Sequence, residues 1–120
     1  MANNRSNSTP IELIAGAEPQ TSEDYIERGW RHYSKKEFYR AEADFRKALE
    51  MNADPIDTLY ALGMTLQASG RPPEAIQAFE KVIELLQTAA PADNARTLML
   101  SRLSHGHINR MKTGDWNLAS

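Results

Sequence analysis

The chain of 120 residues carries an internal repeat with a period of 34 residues, which limits its fold more than any other feature. Residues 22–55 align without a gap on residues 56–89. Five positions hold the same residue in both copies: Gly29 and Gly63, Ala41 and Ala75, Phe45 and Phe79, Lys47 and Lys81, and Glu50 and Glu84. A period of this length indicates stacked structural units, in which each unit buries its apolar face against its neighbours.

Each unit has the pattern of two helices separated by a turn. In the second unit, Leu59, Leu62 and Leu66 follow helical spacing. Gly70 to Pro73 provide the turn. A second apolar stripe follows the turn: Ile76, Phe79, Val82, Ile83 and Leu86. The chain contains a single valine but many alanines and leucines, which favour helices over strands. The sequence therefore predicts helical hairpins.

Several positions shared by the two copies have a physical role in such hairpins. Glycine and alanine let neighbouring helices approach closely, and phenylalanine fills the space between layers. These structural repeat positions are Gly29, Ala41, Phe45, Gly63, Ala75 and Phe79. A 34-residue helix-turn-helix unit with this spacing resembles the tetratricopeptide repeat family, and the resemblance covers residues 22–89. It implies an all-α fold in which helical-hairpin repeats form a short right-handed superhelix.

The sequence predicts a flexible N-terminal arm and one repeat domain. The arm spans residues 1–20 and contains a segment, residues 10–17, that can form a short helix. Three apolar residues would lie on this helix: Ile11, Leu13 and Ile14. Because isolated helices of this length are marginal in water, it must pack against another element to be stable. The repeat domain spans residues 21–120, with repeat 1 at 22–55 and repeat 2 at 56–89.

Residues 90–120 are predicted to form a long capping helix and a partial repeat. The helix should begin near Pro91 and continue to about Lys112. Gly114 to Trp116, followed by Ala119, resemble the turn of a third unit that is displaced by ten residues. The sequence ends where the second helix of that unit would begin, so we expect about two and a half repeats. The long helix, the N-terminal helix or a second subunit would then cover the open end of the stack.

The resemblance also indicates a binding surface. In a superhelix of this family the first helix of each hairpin lines the concave face. Some residues on that face are not used in packing between layers. They are Ile26, Trp30, Tyr33, Tyr60, Met64 and Gln67. Exposed aromatic and methionine side chains are typical of surfaces that bind a partner peptide or helix. Two alternatives remain open at this point, because the N-terminal arm can fill the groove and a homodimer can close it.

One ligand known for the family is disfavoured. A two-carboxylate clamp, which binds the acidic C-terminal tail of chaperones, uses lysine, asparagine and arginine on successive first helices. This sequence has Ile26, Trp30 and Ala61 at the places where the clamp needs lysine and asparagine. The sequence therefore predicts that chaperone tails are not its ligand.

Charge and hydropathy disfavour nucleic acid and membrane as partners. The net charge is -2, so no overall positive field attracts an anionic polymer or lipid. Residues 28–47 contain seven basic and three acidic residues, but such runs usually form solvated helix faces. No apolar run approaches the roughly 20 residues that a membrane span needs. We therefore expect a soluble, cytoplasmic protein.

Metal binding, cofactor binding and catalysis are also disfavoured. The chain has no cysteine, and His105 and His107 point about 200° apart on a helix, so they cannot bind one metal ion together. His32 is expected to pack between the helices of the first unit. Ser104, His105 and Asp115 do not by themselves indicate a catalytic site. The sequence thus predicts a protein without enzymatic activity or cofactor.

Three hypotheses for function follow. The first is an adaptor or scaffold that holds a peptide or helix of another protein in its concave groove. The second is a homodimeric structural module that pairs through the helix at residues 93–112. The third is a chaperone that shields an apolar segment of a secretion substrate. The sequence does not identify the partner.

Overall fold

The computed structural model describes residues 18–89 and 94–114, and within these ranges it consists of helices joined by short turns. They are α1 (Ser22–Ser34), α2 (Phe38–Glu50), α3 (Pro55–Ala68), α4 (Pro72–Ala89) and α5 (Ala95–Thr113). The prediction of an all-α fold of helical-hairpin repeats is confirmed. The predicted helix at residues 10–17 and the turn residues Trp116 and Ala119 lie outside the described residues.

Local capping interactions set the helix ends. Thr21 and Asp24 form a reciprocal capping box at the start of α1. Asp54 accepts a hydrogen bond from the backbone N–H of Ile56 at 2.9 Å, and Pro55 occupies the first turn of α3. Asn94 caps α5 by accepting from the backbone N–H of Thr97. This cap explains why α5 begins at residue 95, a few residues after the predicted start.

The turns within the two hairpins have matching backbone conformations. Lys36 follows α1 and Gly70 follows α3, and the two positions are one repeat period apart. Both lie in the left-handed region, with φ of 64° and 78°. Glycine is the residue best suited to this region, whereas lysine adopts it at some cost in strain. The hairpin shape is therefore repeated even where the turn residue differs.

The helices pack in chain order, α1 with α2, α2 with α3, α3 with α4, and α4 with α5. The core contains residues from both repeats, and several are closed to solvent: Ala41, Phe45, Ala75, Phe79 and Val82. Leu62 and Leu66 of α3 join this core. The apolar stripes of the sequence thus form one continuous core through the stack.

A close contact between glycine and phenylalanine occurs once in each repeat. A Cβ atom added at Gly29 would lie 2.7 Å from Cε1 of Phe45. A Cβ atom added at Gly63 would lie 2.9 Å from Cε1 of Phe79. Both distances are shorter than van der Waals contact, and both rings are fully buried. Only glycine allows the first helix of each hairpin to lie this close to the second.

The last two helices are longer than the two that precede them. Helices α4 and α5 have 18 and 19 residues, whereas α2 and α3 have 13 and 14. The extra turns agree with the ten-residue displacement of the third unit. They also change which residues of α5 are buried, because Leu98 and Met99 are exposed while Thr97, Ser104 and His107 are buried. The apolar residues in the first two turns of α5 therefore lie outside the core.

The first repeat contains a polar contact that sequence reasoning missed. Arg28 stands where repeat 2 has the buried Leu62. Its guanidinium instead donates two hydrogen bonds to buried Asp44, from Nε at 2.9 Å and from Nη2 at 2.8 Å. The hydrogen bond to Asp44 raises the pKa of Arg28. Asp44 stands where repeat 2 has Ala78. A bidentate ion pair thus replaces an apolar pair at the outer end of the stack.

His32 extends the polar cluster of the first repeat. Its Nδ1 lies 2.6 Å from Oε1 of Glu37, and its Nε2 lies 3.8 Å from Oδ2 of Asp44. The side chain is partly buried between the end of α1 and the start of α2. His32 of α1 therefore links two carboxylates, that of Glu37 just before α2 and that of Asp44 on α2.

The glycine contact can be tested with Gly63→Val. We expect a loss of at least about 2 kcal/mol in the free energy of unfolding, because the larger side chain overpacks the core against Phe79. Ala68→Val is the matched control, since Ala68 is exposed at the end of the same helix. It should cost only about 0.5 kcal/mol through helix propensity. Urea unfolding followed by circular dichroism measures both, and equal losses would contradict the packing argument.

The Arg28–Asp44 pair can be tested with two variants. Arg28→Ala should lower the free energy of unfolding by about 1–3 kcal/mol, because it leaves a buried carboxylate without its cation. The double variant Arg28→Leu with Asp44→Ala copies the apolar pair of repeat 2 and should recover most of that loss. Chemical denaturation at neutral pH measures the difference. A double variant as unstable as Arg28→Ala would show that the carboxylate is not the cause.

Candidate functional site

The predicted groove residues lie on one face of α1 and one face of α3. Helix α1 supplies Ile26, Trp30 and Tyr33, and α3 supplies Tyr60, Met64 and Gln67. The two sets are related by the repeat period, so that Ile26 corresponds to Tyr60 and Trp30 to Met64. Spacings of three and four residues place each set on a single helix face.

Three of these residues share one cleft between the two helices. Ile26, Trp30 and Tyr60 line a cavity of about 400 Å³, whose other walls are formed by Asp54, Asp57, Thr58 and Ala61. A volume of this size falls within the range of ligand sites in proteins. Tyr33, Met64 and Gln67 do not line this cleft. Tyr33 and Met64 are partly buried against the core instead.

Trp30 is fixed in place while part of its ring remains exposed. Its ring packs edge-on against Phe45 at a centroid distance of 5.1 Å and against Tyr33 at 5.3 Å. Tyr33 in turn packs edge-on against Phe38 at 5.5 Å. The exposed fraction of Trp30 is 40%. An aromatic ring held by its neighbours in this way loses little further freedom when a partner covers it.

Tyr60 contacts α5 through a histidine that sequence reasoning did not place at the site. The hydroxyl of Tyr60 lies 3.1 Å from Nε2 of His107, and its ring packs edge-on against Phe79. His107 stacks on Phe79 with a centroid distance of 4.6 Å and an interplanar angle of 4°. In the displaced register of the third unit, His107 takes the position of Gly63. The ten-residue displacement of the third unit is therefore the sequence feature from which an inward-facing His107 could have been predicted.

Burial changes the titration of this pair. It raises the pKa of Tyr60 and lowers the pKa of His107. The imidazole of His107 is therefore neutral at pH 7, and its Nε2 can accept the hydrogen bond that the Tyr60 hydroxyl donates. The contact holds one wall of the cleft against α5.

The polar rim of the cleft is acidic. Asp54 and Asp57 line it, and among the described residues that line it none is lysine or arginine. Asp57 pairs with Arg96 of α5, and more than half of each side chain is exposed. Exposed pairs of this kind contribute only about 0–1 kcal/mol. Thr58, which also lines the cleft, is buried with a hydroxyl that has no hydrogen-bond partner among the described residues.

A second apolar surface lies at the start of α5. Leu98 and Met99 have exposed fractions of 49% and 61%. They line a shallow cavity of about 400 Å³ together with Ala95, Arg102 and Leu103. This surface is separate from the cleft between α1 and α3, because the two share no lining residue.

The described ranges contain neither a metal-binding cluster nor a membrane-spanning helix. No group of three or more histidine, aspartate or glutamate side chains suited to hold a metal ion occurs among residues 18–89 and 94–114. In that same part of the chain, no helix combines the length and apolar character needed to cross a membrane.

Comparison with known proteins identifies the second repeat. Residues 56–89 match the family model described as tetratricopeptide repeat. This range contains α3 and α4, and it coincides with the second copy of the 34-residue period. No curated protein and no solved structure matches the chain. The family match therefore agrees with the hairpin fold and with the shared glycine, alanine and phenylalanine positions.

The lowered pKa of His107 predicts a pH dependence of stability. The unfolded chain takes up a proton on this histidine near pH 6.5, while the folded chain keeps it neutral to lower pH. The free energy of unfolding should therefore fall as the pH decreases through 6.5. His107→Phe retains a ring against Phe79 and removes the titration.

Urea unfolding at pH 7.5, 6.5 and 5.5 measures this effect. As the pH falls, the free energy of unfolding of the intact chain should decrease relative to that of His107→Phe. All other titratable groups are present in both proteins, so their contributions cancel in that comparison. Parallel pH profiles would show that His107 titrates alike in the folded and unfolded chains.

Proposed function

The chain is a tetratricopeptide repeat protein, and we propose that it acts as an adaptor or scaffold without enzymatic activity. In this proposal, the cleft between α1 and α3 binds a peptide or helix of another protein. The repeat family supports this role in its coarse form, because tetratricopeptide repeats are generally interaction modules. The shape and residue composition of the cleft support the more specific proposal that it binds a peptide or helix.

Trp30 is the observation that carries the proposal. Tryptophan is enriched among the residues that dominate binding energy at protein interfaces. Here a partly exposed tryptophan lies beside a cleft of about 400 Å³ and is held by two aromatic neighbours. A partner that covers the ring gains buried apolar area at a small cost in side-chain entropy.

The six predicted groove residues divide into two groups in this proposal. Ile26, Trp30 and Tyr60 contact the partner directly, because they line the cleft. Tyr33, Met64 and Gln67 support or flank these contacts. Tyr33 does so by packing against Trp30.

Self-assembly is the second candidate function. The exposed Leu98 and Met99 at the start of α5 support it, because adjacent exposed apolar residues are typical of interaction surfaces. A homodimer would pair these surfaces and leave the cleft between α1 and α3 open. The two candidates therefore use different surfaces and can be tested separately.

The cleft proposal is tested with Trp30→Ala and the matched control Tyr39→Ala. Tyr39 lies on α2 with an exposed fraction of 73%, so its loss removes an exposed aromatic ring away from the cleft. We expect Trp30→Ala to weaken partner binding at least tenfold, and Tyr39→Ala to leave it unchanged. Immobilised intact protein and both variants are incubated with lysate of the source cells, and retained proteins are identified by mass spectrometry.

Two measurements control this experiment. Circular dichroism must show equal helicity for all three proteins. Light scattering gives the oligomeric state, for which a mass near 13.5 kDa indicates a monomer. Equal retention by the intact protein and Trp30→Ala would contradict the cleft proposal. A doubled mass that Leu98→Ser with Met99→Ser returns to 13.5 kDa would favour self-assembly.

A further inference from the structure

We propose that the cleft between α1 and α3 selects protein segments in which an arginine or lysine stands beside an apolar residue. This inference rests on the proposed function and specifies the chemistry of the partner. It concerns the cleft lined by Ile26, Trp30, Tyr60 and the two aspartates of its rim. Three features of the cleft support it: the charge of the rim, an internal guanidinium that already binds there, and the apolar wall.

The rim charge favours a cation. The lining residues include Asp54 and Asp57, and none of the described lining residues is lysine or arginine. Arg96, which is not a lining residue, pairs with Asp57, so the two aspartates still leave an excess of negative charge at the rim. Asp54 uses its Oδ1 to cap α3 through the N–H of Ile56, which keeps the carboxylate at the mouth of the cleft. An acidic segment would be repelled by both carboxylates, whereas a basic one would be attracted.

Arg96 provides an internal precedent for the interaction. It reaches from α5 to Asp57 and places a guanidinium against this carboxylate. The position of Asp57 is therefore one at which a guanidinium can bind. Because both side chains are largely exposed, a partner arginine can replace Arg96 at small cost. Arg96 thus competes with the partner for Asp57.

The apolar wall complements the long stem of a basic side chain. Arginine and lysine can lay their methylene groups on an apolar surface while the charged end reaches a polar rim. Ile26 and the exposed part of Trp30 provide that surface next to the aspartates. The face of an indole also attracts cations directly. An adjacent apolar residue of the partner fills the rest of the cleft.

Selection from a peptide library tests the proposal without a known partner. A phage-displayed library of random 12-residue peptides is panned against the full chain, against Asp54→Asn with Asp57→Asn, and against Trp30→Ala. Asparagine caps helices as well as aspartate does, so the double variant should retain the start of α3. Glu80→Gln with Glu84→Gln removes two exposed charges from α4 and is the matched control.

The expected result is enrichment of arginine or lysine next to an aliphatic or aromatic residue. This enrichment should appear with the intact chain and with the glutamate control, and it should disappear with the aspartate variant. For a selected peptide, fluorescence anisotropy should show binding weakened about tenfold by the aspartate variant. Arg96→Gln should strengthen binding about two- to fivefold, because it frees Asp57.

Several outcomes would overturn the proposal. Peptides that depend on Trp30 but carry no basic residue would refute the charge selection and leave the proposed function intact. Peptides that bind Trp30→Ala as well as the intact chain, or no enrichment at all, would count against both. Selected sequences that match residues 1–17 of this chain would assign the cleft to its own N-terminal segment. Weaker binding by Arg96→Gln would show that Arg96 contacts the peptide instead of competing with it.

Discussion

The close contact between a glycine and a phenylalanine determines how the two helices of each hairpin lie together. At Gly63 no Cβ atom fits, because one would lie 2.9 Å from the ring of Phe79. The same contact occurs between Gly29 and Phe45, so both hairpins have nearly the same interhelical spacing. Trp30 follows Gly29 directly in sequence and packs on the same Phe45 ring. The position of the exposed tryptophan therefore depends on the contact that forms the core.

The two ends of the stack differ in chemistry. At the first end, Arg28 and Asp44 replace the apolar residues that repeat 2 has at the same positions. An ion pair whose hydrogen bonds are already formed does not offer an apolar surface on which another repeat could pack. At the other end, the long helix α5 exposes Leu98 and Met99. Of the two ends of the described stack, the second therefore presents the apolar side chains.

The fold follows from the sequence because its determinants are repeated. Gly29, Phe45 and their equivalents occur twice at one period, and each copy supports the interpretation of the other. The candidate site can be predicted from the sequence only in part. Helical spacing predicts that Ile26, Trp30 and Tyr60 share helix faces, and these three residues line the cleft. The role of His107 instead depends on how α5 packs after the longer helix α4. A change in helix length shifts the register, and periodicity alone does not give its size.

The aspartates at the rim of the cleft could not be predicted from the helical spacing that identified the groove residues, for a related reason. Asp54 belongs to the turn before α3, and only its capping interaction brings it to the mouth of the cleft. Asp44 was missed because its partner Arg28 lies sixteen residues earlier, on another helix. Periodicity identifies which face of a helix is apolar. It does not identify which polar residues from turns and neighbouring helices meet at the edge of that face.

The cleft has one wall fixed by the core and one wall held by α5. Trp30 is held by Phe45 and Tyr33, which belong to the first repeat. On the opposite wall, α5 contacts α3 through His107 on Tyr60 and through Arg96 on Asp57. A partner that displaces Arg96 leaves the His107 contact in place, so α5 need not leave the stack for the cleft to bind. The cost of opening the cleft is then the loss of one exposed ion pair, which a partner cation at Asp57 replaces.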